Sequence, residues 1–146
     1  MRIREANLKD YDQIMALYQQ LQPEDPVVEG YNGKSVFKSI IESKNYILIV
    51  AEIEKTIVSS CYLNIIPNLT RNTKSYAVIE NVITELNHRN KGIGKKVMKY
   101  ALNKAWQAGC YKVMLLTSRK DEPTLKFYEA CGLESGIKTA FIAKST

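Results

Sequence analysis

The chain has few residues that bind metals or form disulfides. Its 146 residues include one histidine and three cysteines, and the cysteines form no Cys-x-x-Cys pair. Zinc sites need a cluster of such ligands, so we expect no metal cofactor. An odd number of cysteines is typical of reduced thiols in the cytoplasm. We therefore predict a cytoplasmic protein in which Cys61, Cys110 and Cys131 serve mainly for packing.

Long apolar segments are also missing. No apolar run approaches the ~20 residues that a membrane-spanning helix needs. The first ten residues, MRIREANLKD, are charged and have no apolar core of a signal peptide. We therefore expect no membrane partner. Internal repeats and low-complexity segments are absent as well, and chains of roughly 100–150 residues usually fold as one unit, so residues 1–146 are predicted to form a single domain.

Positive charge is the main compositional bias. The net charge is +6 and the isoelectric point is near 9.2. Such a charge suits nucleic acid, but it suits a small polyanionic ligand equally well. The basic residues are spread along the chain, without interleaved aromatic residues and without a recognised nucleic-acid motif. We therefore expect no nucleic-acid partner.

Hydrophobic periodicity predicts alternating strands and helices in the order β-α-α-β-β-β-α-β-α-β. The predicted strands are 1–6, 46–53, 56–66, 76–84, 111–117 and 138–143, and the predicted helices follow Asn7, cover 34–43 and 97–108, and follow Asp121. The second helix is expected to turn Val36, Phe37, Ile40 and Ile41 inward. This order indicates an α/β protein with a mixed sheet and helices on both faces.

A basic segment with two glycines joins the strand 76–84 to the helix that follows it. Its sequence from His88 to Lys96 is HRNKGIGKK, with four basic side chains. Glycine lets the backbone approach an anion closely, and the N–H groups of a helix start attract negative charge. The segment therefore fits a phosphate-rich ligand. A flexible basic turn is the alternative explanation.

Two motifs show a resemblance to a known family. Arg89–Gly94 fits the pattern Arg/Gln-x-x-Gly-x-Gly/Ala, and Phe127–Leu133 fits aromatic-Tyr-Glu-x-x-Gly-Phe with Leu133 in the last position. In these motifs and in its element order, the chain resembles the GNAT superfamily of acetyl-CoA-dependent N-acetyltransferases. Residues 109–133 are similar to the glucosamine-phosphate N-acetyltransferases. The resemblance implies an α/β three-layer fold with a central mixed, largely antiparallel, splayed sheet and helices on both faces.

The resemblance also implies how acetyl-CoA would bind as the acyl donor. The backbone N–H groups of the loop would hold the pyrophosphate, and the strand before the loop would pair with the pantetheine arm. A backbone N–H near Val82 or Ile83 would polarise the thioester carbonyl. The implied cofactor-binding residues are Val82, Ile83, Thr84, Arg89, Asn90, Lys91, Gly92, Ile93, Gly94 and Lys95. Lys96, Arg119 and Lys120 either add charge near the phosphates or form a solvated basic surface.

Tyr128 and Glu80 are the candidate catalytic residues. Tyr128 stands in the second motif, where the resemblance implies a proton donor to the departing thiolate. Glu80 lies on the predicted strand, and regular alternation would place its side chain on the same face as those of Val82 and Thr84. It is either a general base, directly or through water, or an ion-pairing or substrate-binding carboxylate. We expect His88 at the surface.

The acceptor is less well specified. The resemblance places the acceptor side at the first two helices, the loops 22–33 and 67–75, and the last strand. Glu24, Asp25 and Glu29 there suit a cationic amine or an ordinary solvated loop. The predicted function is transfer of acetyl from acetyl-CoA to a primary amine of a small molecule or peptide, in a ternary complex. A non-catalytic acyl-CoA-binding regulatory domain is the alternative, and homodimer formation is left open.

Overall fold

The computed structural model describes residues 1–27 and 31–145, so the candidate Glu29 lies outside the described residues. The strands are β1 (Arg2–Glu5), β2 (Tyr46–Ile53), β3 (Thr56–Ile66), β4 (Tyr76–Thr84) and β5 (Val113–Met114). The helices are α1 (Tyr11–Leu21), α2 (Tyr31–Ile41), the single turn α3 (Thr70–Thr73), α4 (Ile93–Gln107) and α5 (Glu122–Ala130), with short 3₁₀ turns at Leu8–Asp10 and Leu86–His88.

The five strands form one sheet in the order β1-β2-β3-β4-β5. The pairs β1–β2, β2–β3 and β3–β4 are antiparallel, and the pair β4–β5 is parallel. Glu54 and Lys55 both have positive φ, as a tight two-residue hairpin between β2 and β3 requires. The sheet is therefore mixed and largely antiparallel, as predicted.

Helices cover both faces of this sheet. On one face, α1 and α2 pack on a cluster of buried side chains that includes Ile14, Phe37, Val50 and Ile83. Because side chains alternate along a strand, Ile49 and Ala51 point to the other face. There α4 packs against the first four strands with its buried Val97, Met98, Ala101 and Ala105. The predicted layers, helix on sheet on helix, are confirmed.

Three sequence predictions are wrong in detail. The strand 111–117 shrinks to Val113–Met114 because only these residues pair with β4. The segment 138–143 forms no strand in the described chain, since no neighbouring strand pairs with it, and Phe141 is 91% exposed. Val36 is exposed because it lies at the edge of the apolar stripe that Phe37 and its neighbours form on α2.

The chain divides into two compact units, one up to Leu115 and one from Leu116 onward. The first contains the whole sheet and α1 to α4, and the second contains α5. The single domain over residues 1–146 stays a prediction. Within the described residues, no helix is both long and apolar enough to cross a membrane.

Candidate active site

The N-terminus of α4 presents unpaired backbone N–H groups. The helix begins at Ile93, earlier than the predicted Val97, because Gly92 takes a left-handed conformation (φ 74°) that ends the loop. Its first N–H bond runs from Lys96 to the Gly92 carbonyl at 3.2 Å. The N–H groups of Ile93, Gly94 and Lys95 therefore have no intrahelical acceptor. Three such donors at the positive end of a helix dipole form a suitable anion site.

Basic side chains fix the loop that precedes this helix. Arg89 Nε donates to the Thr84 carbonyl at 3.0 Å, and Lys91 Nζ donates to the Asn87 carbonyl at 2.9 Å. Asn90 has a positive φ of 60°, which asparagine tolerates better than most residues. Lys95 is exposed on the first turn of α4, whereas Ile93 is 5% exposed and anchors that turn in the core. The loop is thus held at both ends while its cationic surface faces solvent.

One edge of β4 lies open beside this helix start. Pairing with β5 covers only Ala77 and Val78. Among the described residues, no strand pairs with that edge from Ile79 to Thr84, so the predicted splay of the sheet begins there. The predicted pantetheine-binding residues Val82, Ile83 and Thr84 fall in this open stretch. An extended ligand arm can add to such an edge through backbone hydrogen bonds.

A β-bulge interrupts β4 in the same stretch. Ser60 pairs with Ile83 and Tyr62 pairs with Glu80, so Asn81 and Val82 together face the single residue Cys61. Asn81 has a φ of 50°. The extra residue of a bulge is left out of the hydrogen-bonded ladder. Backbone groups at Asn81 and Val82 are thereby released near the predicted thioester position.

The bulge also changes the face on which Glu80 lies. Glu80 is opposite Tyr62, whereas Thr84 is opposite Ser59, and the hydroxyl oxygens of Thr84 and Ser59 share a hydrogen bond at 2.9 Å. Ser59 and Tyr62 stand three residues apart on a regular part of β3, so they point to opposite faces. The expectation that Glu80 and Thr84 share a face is therefore wrong, because one extra residue reverses the alternation. Glu80 lies on the α1 and α2 face and is exposed.

His88 has a local structural role. Its Nδ1 lies 2.7 Å from Glu85 Oε2, and Glu85 also accepts from the Asn87 N–H at 2.9 Å. The hydrogen bond from His88 holds the pKa of Glu85 below its usual value, and the N–H of Asn87 adds to this effect. These contacts shape the 3₁₀ turn between β4 and the glycine loop.

Within the second unit, Asp121 caps α5 as predicted. Its Oδ1 accepts from the backbone N–H of Thr124 at 3.1 Å, and the hydroxyl of Thr124 donates to it at 2.8 Å. Tyr128 lies on α5 with its ring centroid 5.1 Å from that of Phe127, and its carbonyl accepts from the Leu133 N–H. The structure thus gathers Glu80, the β4 edge and the loop within the first unit, whereas Tyr128 belongs to the second.

The sequence prediction missed the bulge at Asn81. The signal was a lone asparagine inside the apolar and β-branched run of β4, because asparagine is enriched where the backbone turns left-handed. An open strand edge, a bulge and an unpaired helix N-terminus lie together in this α/β fold, and this combination is suited to an extended, anionic ligand. The profile of the Acetyltransferase (GNAT) family matches residues 12–133. The chain belongs to this family.

Three known proteins illustrate the similarity. A putative acetyltransferase from Agrobacterium tumefaciens str. C58 is 37% identical, with a TM-score of 0.94 over 99% of this chain and 100% of that one. A transcriptional regulator from Bacillus halodurans C-125 is 29% identical, with a TM-score of 0.84 over 96% and 99%. Glucosamine 6-phosphate N-acetyltransferase from Trypanosoma brucei brucei is 35% identical over 54% of this chain and 52% of its own length. The chain thus spans about half the length of that curated relative.

Proposed function

We propose that this protein transfers an acetyl group from acetyl-CoA to a primary amine of a small molecule or peptide. The observation that carries the proposal is the pair of features at the end of β4. The unpaired N–H groups of Ile93, Gly94 and Lys95 suit a pyrophosphate, and the adjoining strand edge is open for the pantetheine arm. In an acyl-CoA the extended pantetheine arm follows the pyrophosphate directly. A protein that binds it needs an anion site next to an open strand edge, and this chain has both.

In this proposal, the bulge supplies the group that stabilises the transition state. The amine nitrogen attacks the thioester carbonyl carbon, and negative charge develops on the carbonyl oxygen. A backbone N–H at Val82 or Ile83 donates to that oxygen. Because bulged residues are released from the ladder, such an N–H can turn toward a ligand on the open edge. A donor that is fixed in advance stabilises the developing charge without the cost of reorienting water.

The proposed proton transfers use Glu80 and Tyr128. A primary ammonium with a pKa of ~10.4 must lose a proton before it attacks, and Glu80 accepts this proton directly or through water. When the C–S bond breaks, the CoA thiolate leaves with a usual pKa of ~8.5, and Tyr128 provides its proton. The exposed position of Glu80 on the α1 and α2 face supports access of an acceptor to its carboxylate.

An amino-sugar phosphate is the acceptor that we put first. The support is the local similarity to glucosamine 6-phosphate N-acetyltransferase from Trypanosoma brucei brucei, which covers about half of each chain. Nearly half of this chain lies outside that similarity. Polyamines, aminoglycosides, amino acids and peptide N-termini therefore belong in the same test.

The test combines a thermal shift with release of free thiol. Acetyl-CoA alone should raise the melting temperature, and one amine class should cause thiol release above the rate of hydrolysis. Acetylated product identified by mass spectrometry would establish the acceptor. An unchanged melting temperature at millimolar acetyl-CoA would overturn the assignment of Arg89–Lys95 as the cofactor loop.

A non-catalytic acyl-CoA-binding regulatory domain is the second candidate. The similarity to the transcriptional regulator from Bacillus halodurans over nearly the full chain favours it. It predicts stabilisation by acetyl-CoA with no thiol release for any amine, and an equal response to unreactive CoA analogues. Turnover with any one amine would exclude it.

A further inference from the structure

Two buried hydroxyl groups lie beside the bulge of β4. Ser60 is fully buried on β3, where it pairs with Ile83 at one side of the bulge. Tyr18 projects from α1, which packs against β3 and β4. Neither Tyr18 Oη nor Ser60 Oγ finds a partner of normal hydrogen-bond geometry among the described residues. Buried polar atoms that lack such a partner are rare in folded proteins and call for an explanation.

Asn81 is the polar side chain next to these hydroxyls. Burial raises the pKa of Tyr18 to about 12, while the neighbouring Asn81 side chain and Ser60 hydroxyl act against that increase. The phenol is therefore protonated at physiological pH and can donate a hydrogen bond. Asn81 and Ser60 both neighbour the Tyr18 hydroxyl, so rotation of the Asn81 side chain would let it accept the hydrogen bond that the phenol can donate.

The backbone of Asn81 needs a restraint of this kind. Its φ of 50° is left-handed, and although asparagine tolerates that conformation better than most residues, it still adopts it at a greater energetic cost than glycine does. On its outer side, β4 has no strand partner at this level within the described chain. A regular strand, which lacks the bulge, would return the neighbouring amide to the ladder with β3. The bulge is thus a conformation that the surrounding side chains must hold.

We propose that Tyr18 and Ser60 are positioning residues that hold Asn81 in its left-handed conformation and so keep the bulged amide directed at the acyl carbonyl. They do not touch the acyl donor themselves, because their hydroxyls are buried beneath the strand. The effect of these two residues on kcat rests on the proposed acetyl transfer. Their effect on the conformation of the bulge does not depend on that function, and it can be measured in the unliganded protein.

The test uses Tyr18→Phe and Ser60→Ala, each of which removes one hydroxyl. Tyr11→Phe is the matched control, because it removes a phenol hydroxyl from the same helix, where the Tyr11 ring packs 5.3 Å from that of Phe37. Amide hydrogen exchange of residues 81–83 is measured by NMR without ligand. Initial rates with acetyl-CoA and affinity for CoA are measured in parallel.

We expect Tyr18→Phe and Ser60→Ala to speed exchange at residues 81–83 about fivefold to tenfold, as the loss of one buried hydrogen bond implies. We expect kcat to fall by a similar factor, while the affinity for CoA changes less than about twofold, since its anion site is intact. Tyr11→Phe should leave the exchange rates of residues 81–83 at their wild-type values. In the Tyr18→Phe background, Asn81→Gly should recover most of kcat, because glycine adopts a positive φ without strain.

Unchanged exchange in both variants would overturn the proposal, and so would an equal effect of Tyr11→Phe. If the wild type acetylates no amine, the proposed function fails, but the exchange measurement still decides whether these hydroxyls hold the bulge. A loss of CoA affinity equal to the loss of kcat would show general disruption of the site and would also count against a positioning role.

Discussion

Glu80 is the residue whose role is most directly testable. Its carboxylate is exposed opposite Tyr62, on the sheet face that α1 and α2 cover. We expect Glu80→Gln to lower kcat about a hundredfold to ten-thousandfold at pH 7, the usual contribution of a general base. The loss should shrink as the pH approaches the acceptor pKa of ~10.4, because the amine then loses its proton unaided. Initial rates across pH 6–10 measure this effect.

Glu54→Gln is a suitable control for that experiment, because Glu54 is exposed in the turn between β2 and β3. Its rates should equal those of the wild type. A Glu80→Gln variant that loses the same factor at every pH would indicate substrate binding by Glu80 rather than proton abstraction.

Tyr128 should contribute to kcat and not to the affinity for CoA. Tyr128→Phe keeps the ring that packs 5.1 Å from that of Phe127, but it removes the hydroxyl. We expect kcat to fall about a hundredfold, with little change in the affinity for CoA. A donor with a better leaving group should recover most of the loss, since a more acidic thiol needs no proton to leave.

Tyr100→Phe on α4 is the matched control for Tyr128→Phe, because it also removes one phenol hydroxyl. The activity of this control should be unaltered. If Tyr128→Phe loses the same factor with the improved leaving group, Tyr128 does not protonate the thiolate.

At the scale of elements, prediction from sequence succeeded where a strand is defined by its own residues. β2, β3 and β4 have the predicted bounds, because long apolar or β-branched runs specify buried strands. The segment 138–143 also contains apolar and β-branched residues, but it has no strand partner among the described residues, and pairing depends on the rest of the fold. The bulge in β4 also depends on pairing between strands. The face on which Glu80 lies is set by the alignment of β4 with β3, which the sequence of β4 alone does not specify.

The two ends of α4 offer a matched pair of glycines. Gly92 (φ 74°) precedes the helix and Gly109 (φ 76°) follows it, and a Cβ at either position would meet no atom of residues 1–27 or 31–145 within 4 Å. Alanine at either should cost about 1 kcal/mol of stability, because the left-handed conformation is strained for it. Only Gly92→Ala should also weaken CoA binding, roughly fivefold, by moving the donor N–H groups. Calorimetry with CoA and thermal unfolding test both statements.

If Gly92→Ala and Gly109→Ala both bind CoA as tightly as the wild type does, the anion site at Ile93–Lys95 is contradicted. If both variants lose the same factor in CoA affinity, it is contradicted as well, because the loss then follows from reduced stability.

At the scale of the whole molecule, the stability of the first unit is tied to pH through Asp10. This carboxylate is 4% exposed and accepts two hydrogen bonds from Arg4, at 2.7 and 3.0 Å, while Arg4 also binds Glu52 on β2. Burial raises the pKa of Asp10, but Arg4 and the Asn7 N–H lower it more, so the net pKa lies below its usual value. The group therefore stabilises the fold above its unfolded pKa of ~3.9, and this contribution is lost as the pH falls through the folded pKa.

We expect Asp10→Asn to reduce the free energy of unfolding by about 3 kcal/mol at pH 7, because it leaves the Arg4 charge only partly paired. The difference from the wild type should narrow below about pH 4, where Asp10 of the unfolded chain becomes protonated, and should vanish once the pH passes the lower pKa of Asp10 in the folded protein. Urea unfolding at a series of pH values measures it, with the exposed Asp25→Asn as the control that should shift stability less than about 0.5 kcal/mol. A penalty that stays constant down to pH 2.5 would mean that the loss comes from packing, because only a charge interaction disappears when Asp10 is neutralised.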